Sequence, residues 1–193
     1  IISVSATGIL LKKEFDTLTD EELKEYLEDI NHQAQYLSKT IDTFKNFVSK
    51  EKDFVSFYFH EIIFNSIELI GASLKNHDIK LELNLDDFNP MLTLPNGELE
   101  EVIINLLNNA KDQFKQKEIE DRKIIVNTKQ IDKNAVIEIE DNAGGIPKDV
   151  LPRIFEAYFT TKHKSQGTGL GLYMSYEIIT KSLHGEIFAT NTQ

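Results

Sequence analysis

The chain has 193 residues, of which 40% are hydrophobic and 27% charged, with a formal net charge of −11 and no cysteine. That composition fits a globular protein of one good-sized domain, or of a smaller domain with an appendage. It excludes disulfides and thiolate metal sites, and the acidic balance argues against a nucleic-acid backbone as partner.

No apolar run approaches the ~18 residues that a membrane span needs, and no basic-then-apolar leader opens the chain. A cytoplasmic location is therefore expected for this segment, whether or not the intact protein is membrane-anchored. The chain opens on Ile1 and closes two residues past an expected strand, so it reads as a fragment of something longer. Ile2, Ala6, Ile9, Leu10 and Lys13 have helix-compatible spacing, with Gly8 as a weak point. Thr19 and Glu22 supply a capping box for the next helix. Leu23, Leu27, Ile30, Ala34, Leu37, Ile41, Phe44 and Val48 then recur at alternating steps of four and three, a heptad seam. Such a seam fits either one amphipathic helix lying on a globular core or the long arm of a helical hairpin that dimerises into a four-helix bundle. Its strictness, and the absence of a second apolar face, favour the hairpin and hence a homodimer.

Glu51, Lys52 and Asp53 break the periodicity, which divides the chain into a helical domain over 1–50 and a second domain over 53–193. Strands are expected at 54–57, 80–85, 91–94, 124–130, 135–141 and 186–191. Between them, helices are expected at 60–74, 98–113 and 170–183, with a turn at Asn96 and Gly97. Helices and strands alternate irregularly, so the second domain is α+β, an α/β sandwich with helices on one face of a mixed sheet.

Asn105 and Asn109 stand four apart on the helix over 98–113 and project from one face, while Leu106, Leu107 and Ala110 turn the other way. Two amides there either cover a solvent face or offer neutral oxygen ligands, of the kind a nucleotide-bound Mg²⁺ requires in small number. Asp141 ends a strand and precedes Asn142, Ala143, Gly144 and Gly145. A carboxylate there can accept a hydrogen bond from an adenine amino group while Gly145 lets the base lie near the main chain; the same residues also make an ordinary turn. Gly167, Thr168, Gly169, Leu170, Gly171 and Leu172 open a helix, where main-chain N–H groups can cradle phosphate. Three alternating glycines alone are a weak signal.

Taken in order, these signals resemble the Bergerat ATP-binding superfamily of histidine kinases, type II topoisomerase ATPase subunits, Hsp90 and MutL. Residues 105–110 resemble its N box and 141–146 its G1 box, with Ala143 where glycine is usual. Residues 155–162 resemble its F box, with Ala157 where proline is usual, and 167–172 resemble its G2 box. Asn105 occupies the position where the hydrolases carry a glutamate, and an amide cannot accept a proton from water. With the heptad helix in front, whose residues 38–47 resemble the dimerisation hairpin of two-component kinases, this singles out the sensor histidine kinases.

That resemblance implies an ATP-binding catalytic core that transfers the γ-phosphate to a histidine, for relay to the receiver domain of a response regulator. It implies ATP and Mg²⁺ as cofactors, with Asn109 on the metal and Asn105 orienting the γ-phosphate or its approach. Asp141 would select adenine, with Gly145 and Ile146 against the base. Gly167, Thr168, Gly169, Leu170, Gly171 and Leu172 would hold the phosphates. Lys162 would stabilise charge on the moving phosphoryl group, with Asp112 and Thr161 completing the site and Phe155 and Phe159 anchoring a lid over 144–166. The family's acceptor motif does not occur in the 193 residues, and His32, His60, His77, His163 and His184 read as surface or packing residues. The family's final strand, which would follow Asn191, is also missing. An ATP-hydrolysing member of the superfamily and a nucleotide-binding dimeric scaffold without catalysis are the alternatives.

Overall fold

The computed structural model describes residues 19, 21, 22, 24, 26, 27 and 30, then 52–117, 119–162 and 168–191. The chain divides into two compact units, Ile1–Glu51 and Lys52–Gln193. In the first unit, residues 21, 22, 24, 26, 27 and 30 are helical. The expected capping box closes it: the Thr19 N–H donates to Glu22 Oε2 at 2.8 Å, and the Glu22 N–H donates to Thr19 Oγ1 at 3.2 Å. Each bond satisfies a main-chain donor that the first helical turn would leave bare. The earlier expected helix and the rest of the heptad seam lie outside the described residues.

The second unit runs β1 (Phe54–Tyr58), α1 (Phe59–Lys75), β2 (Lys80–Asn84), β3 (Met91–Pro95), α2 (Glu98–Gln116), β4 (Lys123–Ile131) and β5 (Asn134–Asp141). A 3₁₀ turn at Leu151–Arg153 follows, then α3 (Gly171–Glu177), which continues as a wider π turn over Ile178–Ser182. The mixed sheet is β2-β4-β5, with β2 parallel and β5 antiparallel to β4. β1 and β3 form a separate antiparallel ribbon, whose Phe57, Leu92 and Leu94 pack on the shared core.

Alternation along β4 shows how the layers arise. Ile124 and Val126 are fully buried and Thr128 nearly so, while Asn127 and Lys129, of opposite parity, meet polar partners on the other face. A period of two therefore gives this sheet one face for the helices and one for water. On the helical side Ile62, Ile63 and Leu74 of α1 and Ile103, Leu107 and Phe114 of α2 fill the core. α2 starts from Gly97 at φ +78°, a left-handed conformation that glycine adopts without strain. Glu98, Glu100 and Glu101 in its first turn suit the positive end of the helix dipole.

Two expectations need correction. No strand forms over 186–191, where the described residues have no ladder partner; strand propensity cannot hold a strand without a neighbour to bond. In α3 the buried positions are Met174, Ser175 and then Ile178. Tyr176, which the helical spacing of Leu172, Tyr176, Ile179 and Leu183 in the sequence would turn inward, instead lies outside, with its ring centroid 5.6 Å from that of Phe155. At the far end of this rod, Lys52 Nζ reaches Glu98 at 2.5 Å and Ser182 Oγ at 2.8 Å, and the Ser182 hydroxyl also donates to Glu98. That cluster pins the start of the unit to the first turn of α2 and the last turn of the rod.

Candidate functional site

β5 delivers Asp141 by register. Asp141 pairs with Ile124 and shares the parity of Ile137 and Ile139, both packed on the core. The carboxylate thus leaves the sheet on the helical side, at its rim. One oxygen, Oδ1, accepts from the Ala143 N–H at 2.9 Å, a tight local turn of the kind aspartate favours. Asn142 secures the turn from below, accepting from the Lys123 N–H at 2.9 Å and donating to the Asp121 carbonyl at 2.6 Å. Beside it Asp121 pairs with Lys80 at 2.7 Å, and the Lys80 ammonium holds the Asp121 carboxyl below its ordinary value. Gly144 and Gly145 follow at φ +82° and +68°, a left-handed pair that side chains would strain.

Two side chains brace this turn that sequence reasoning does not single out. Lys117, just past α2, donates from Nζ to the Ala143 carbonyl at 2.5 Å. Asn191 brackets Ile146, whose N–H donates to Asn191 Oδ1 at 2.8 Å and whose carbonyl accepts from Nδ2 at 2.7 Å. Both come from chain segments remote in sequence, and no local pattern marks them.

α2 and α3 meet through the asparagine face. Asn105 Nδ2 donates to the buried Ser175 Oγ at 2.8 Å, and a Cβ on Gly171 would lie 2.5 Å from Asn105 Oδ1. The first amide of the pair is therefore spent on holding the glycine-lined turn against α2. A buried serine on an otherwise apolar helical face is the signal that could have revealed its partner. One turn further along α2, the Asn109 Nδ2 is buried with no hydrogen-bond partner. Among the described residues no other buried side-chain nitrogen or oxygen lacks one. Buried amides are normally satisfied, and leaving one bare costs about 1–3 kcal/mol.

The segment over 155–162 crosses the glycine turn at close range. The Tyr158 N–H donates to the Gly169 carbonyl at 3.0 Å. A Cβ on Gly169, which sits at φ +66°, would fall 2.4–2.6 Å from main-chain atoms of Tyr158 and Phe159. Phe155 meets Tyr176 of α3, which ties the segment to that helix; Phe159 lies under the guanidinium of the nearby Arg153 at 4.3 Å, a contact within the adjoining turn. Thr161 is exposed at its end. Lys162 Nζ reaches back to Asp112 Oδ2 at 2.8 Å, tying the segment to α2. Thr168 Oγ1 accepts from the Leu170 N–H at 3.3 Å, and the Leu170 carbonyl accepts the first α3 bond from Met174 at 2.8 Å. Leu172, in the first turn of α3, is half-buried; Gly167 lies outside the described residues, as do His32 and His163. His60 and His77 make local contacts, His60 Nε2 with Thr128 Oγ1 at 3.3 Å and His77 Nδ1 with the Ser73 carbonyl at 2.7 Å.

Asn105, Asn109, Asp112, Lys162, Gly169 and Gly171 thus gather around α2, and Asp141, Gly145 and Ile146 form a braced turn at the rim of the sheet. A family model described as histidine kinase-, DNA gyrase B-, and HSP90-like ATPase matches residues 96–193. The two-component sensor PprA of Pseudomonas aeruginosa is 33% identical over 129 residues, covering 65% of this chain. The chain spans only 14% of that relative's length. Among solved structures, the catalytic domain of histidine kinase ThkA superposes with a TM-score of 0.62 at 26% identity, covering 73% of this chain and 89% of that one. ThkA solved with the response regulator TrrA gives a TM-score of 0.71 at 22% identity, covering 95% of this chain and 52% of that one.

Proposed function

Because the chain belongs to the histidine kinase-, DNA gyrase B- and HSP90-like ATPase family, we propose that it is the ATP-binding catalytic core of a sensor histidine kinase. It moves the γ-phosphoryl group of ATP to an imidazole nitrogen: the bond from phosphorus to the ADP oxygen breaks, the phosphorus–nitrogen bond forms, and the imidazole gives up a proton. The acceptor is carried by a segment outside these 193 residues. The observation that carries this reading is the buried, unpartnered amide of Asn109 beside the contact between α2 and the glycine-lined turn. An amide nitrogen and oxygen exchange by a half-turn of the side chain, so that orphaned position suits an oxygen ligand equally well. Asn109 would hold Mg²⁺, which when bound neutralises phosphate charge.

The other residues have separable tasks. Asp141, with one oxygen held by Ala143, keeps the second for an adenine amino group, and Gly145 and Ile146 lie against the base. Gly167 to Leu172 receive the phosphates at the head of α3. Asn105 acts through the turn it braces, setting the γ-phosphate's approach by way of Ser175 and Gly171. As an amide it gives water no base, which favours transfer over hydrolysis. The heptad helix supports a homodimer; its Leu27 is half exposed within the first unit. A receiver domain as downstream partner draws support from the ThkA structure solved with a response regulator.

A direct test is incubation with γ-labelled ATP, Mg²⁺ and a helical hairpin that bears the acceptor histidine. Acid-labile, alkali-stable label should appear on the hairpin. Steady phosphate release without labelling would favour an ATPase, and failure to bind nucleotide would leave a scaffold.

Lys162 gives a second prediction. Its side chain is 16% exposed, and its ammonium is parked on Asp112, whose side chain is 37% exposed. A partly exposed pair contributes only about 0.2–1 kcal/mol, so a phosphate can displace it. Lys162→Ala should lower the transfer rate on the order of a hundredfold while ADP affinity changes less than about threefold. Asp112→Ala should leave the rate at saturating ATP near its original value. Equal rate losses in both variants would show that the ion pair, rather than the lysine, matters.

A further inference from the structure

Asn191 belongs to none of the four motifs, yet its carboxamide is matched to the main chain of one residue. It accepts from the Ile146 N–H at 2.8 Å and donates to the Ile146 carbonyl at 2.7 Å. One side chain thus does what a neighbouring strand residue would do, satisfying donor and acceptor of the same residue. The same carboxamide occupies the space beside Gly145, where a Cβ would lie 2.8 Å from Asn191 Oδ1. Gly145 is in the left-handed region at φ +68°, a conformation with little restoring force of its own in glycine. The shape of this turn is therefore held from outside, and Asn191 holds it at the Ile146 end.

There is a chemical consequence. With the Ile146 N–H given to Asn191, that donor cannot also read a base edge, which leaves the Asp141 carboxylate as the acceptor for the adenine amino group. We propose that Asn191 is a positioning residue for the nucleotide: it locks the Gly145–Ile146 main chain into the surface against which the base lies. The proposal rests on the ATP-binding reading and deepens it, placing part of the affinity for the base in a side chain distant from the phosphates.

The test uses the full 193-residue chain, titrated with ADP and separately with inorganic tripolyphosphate. Asn191→Ala should weaken ADP about fivefold to thirtyfold, the loss of two partly solvated hydrogen bonds, and leave tripolyphosphate binding unchanged. The transfer rate at saturating ATP should also be unchanged, so that the effect lies in KM and not in kcat. Asn191→Asp keeps the acceptor but turns a second oxygen toward the Ile146 carbonyl, and should weaken ADP at least as much. Amide exchange at Ile146, followed by NMR without nucleotide, should speed up in both variants. The proposal is overturned if ADP binds Asn191→Ala as it binds the original chain, or if tripolyphosphate binding falls in parallel, which would mark general damage. Should Asn191→Ala fail to fold, Asn191→Asp carries the same comparison. If the unaltered chain binds no ADP, the ATP reading itself falls, an outcome distinct from unchanged binding in the variants.

Discussion

Asn109→Ala should weaken Mg²⁺-dependent ATP binding about a hundredfold without lowering the stability of the nucleotide-free chain. The two effects have opposite signs for one reason. In the free protein the Asn109 amide nitrogen is buried without a partner, a state that costs about 1–3 kcal/mol. Truncation removes that cost and a few packing contacts, so the unfolding free energy should stay within about 1 kcal/mol of the original and can rise. With ATP and Mg²⁺ present the same truncation removes a metal ligand. Losing even an indirect partner of a metal typically costs 10–100-fold in affinity, so a loss of about a hundredfold is expected here. Urea unfolding without nucleotide and calorimetric titration with and without Mg²⁺ measure both. A variant that unfolds more easily and yet binds Mg-ATP normally would show that the amide is structural.

The parts of this site legible in sequence are those whose chemistry and geometry are local. Asn105 and Asn109 share a helical face because 3.6 residues make a turn. Asp141 reaches the helical side because its parity follows Ile137 and Ile139. Gly145 and Gly169 lie where the main chain enters the left-handed region. Lys117 and Asn191 are illegible for the opposite reason: each braces a turn from a remote segment, and neither belongs to a repeating pattern. Tyr176 shows the limit of periodicity. Its spacing places it with Ile179 and Leu183, but the ring of Phe155 offers it an aromatic contact outside the core. The expected strand over 186–191 fails similarly, since propensity is local and a ladder is not. Asn105 falls between these cases: its position is readable from the helix, its bond to Ser175 only once that serine is seen to be buried.

Gly169→Ala should be more damaging than Gly171→Ala or Gly71→Ala, and the surroundings of the three glycines show why. At Gly169 the added carbon would lie 2.4–2.6 Å from main-chain atoms of Tyr158 and Phe159, at a φ of +66°. The left-handed conformation costs an alanine about 1–2 kcal/mol, and overpacking adds about 1–3 kcal/mol. No side-chain rotation relieves the clash, because the obstacle is main chain. The segment over 155–162 must therefore lift, breaking the bond from the Tyr158 N–H to the Gly169 carbonyl and withdrawing Lys162 from α2. At Gly171 the added carbon would meet only the Asn105 carboxamide, at 2.5 Å. Asn105 can turn away and lose its bond to Ser175, so Gly171→Ala should cost less stability. At Gly71, within α1, nothing lies within 4 Å, and alanine there should stabilise by up to about 1 kcal/mol. Urea unfolding of the three variants should thus rank Gly71→Ala above the original chain, Gly171→Ala below it and Gly169→Ala lowest, by about 2–5 kcal/mol. ADP affinity should fall most in Gly169→Ala as well. A Gly169→Ala chain that unfolds and binds like Gly171→Ala would mean that the crossing segment does not rest on the glycine turn, and the coupling of Lys162 to the phosphate site would go with it.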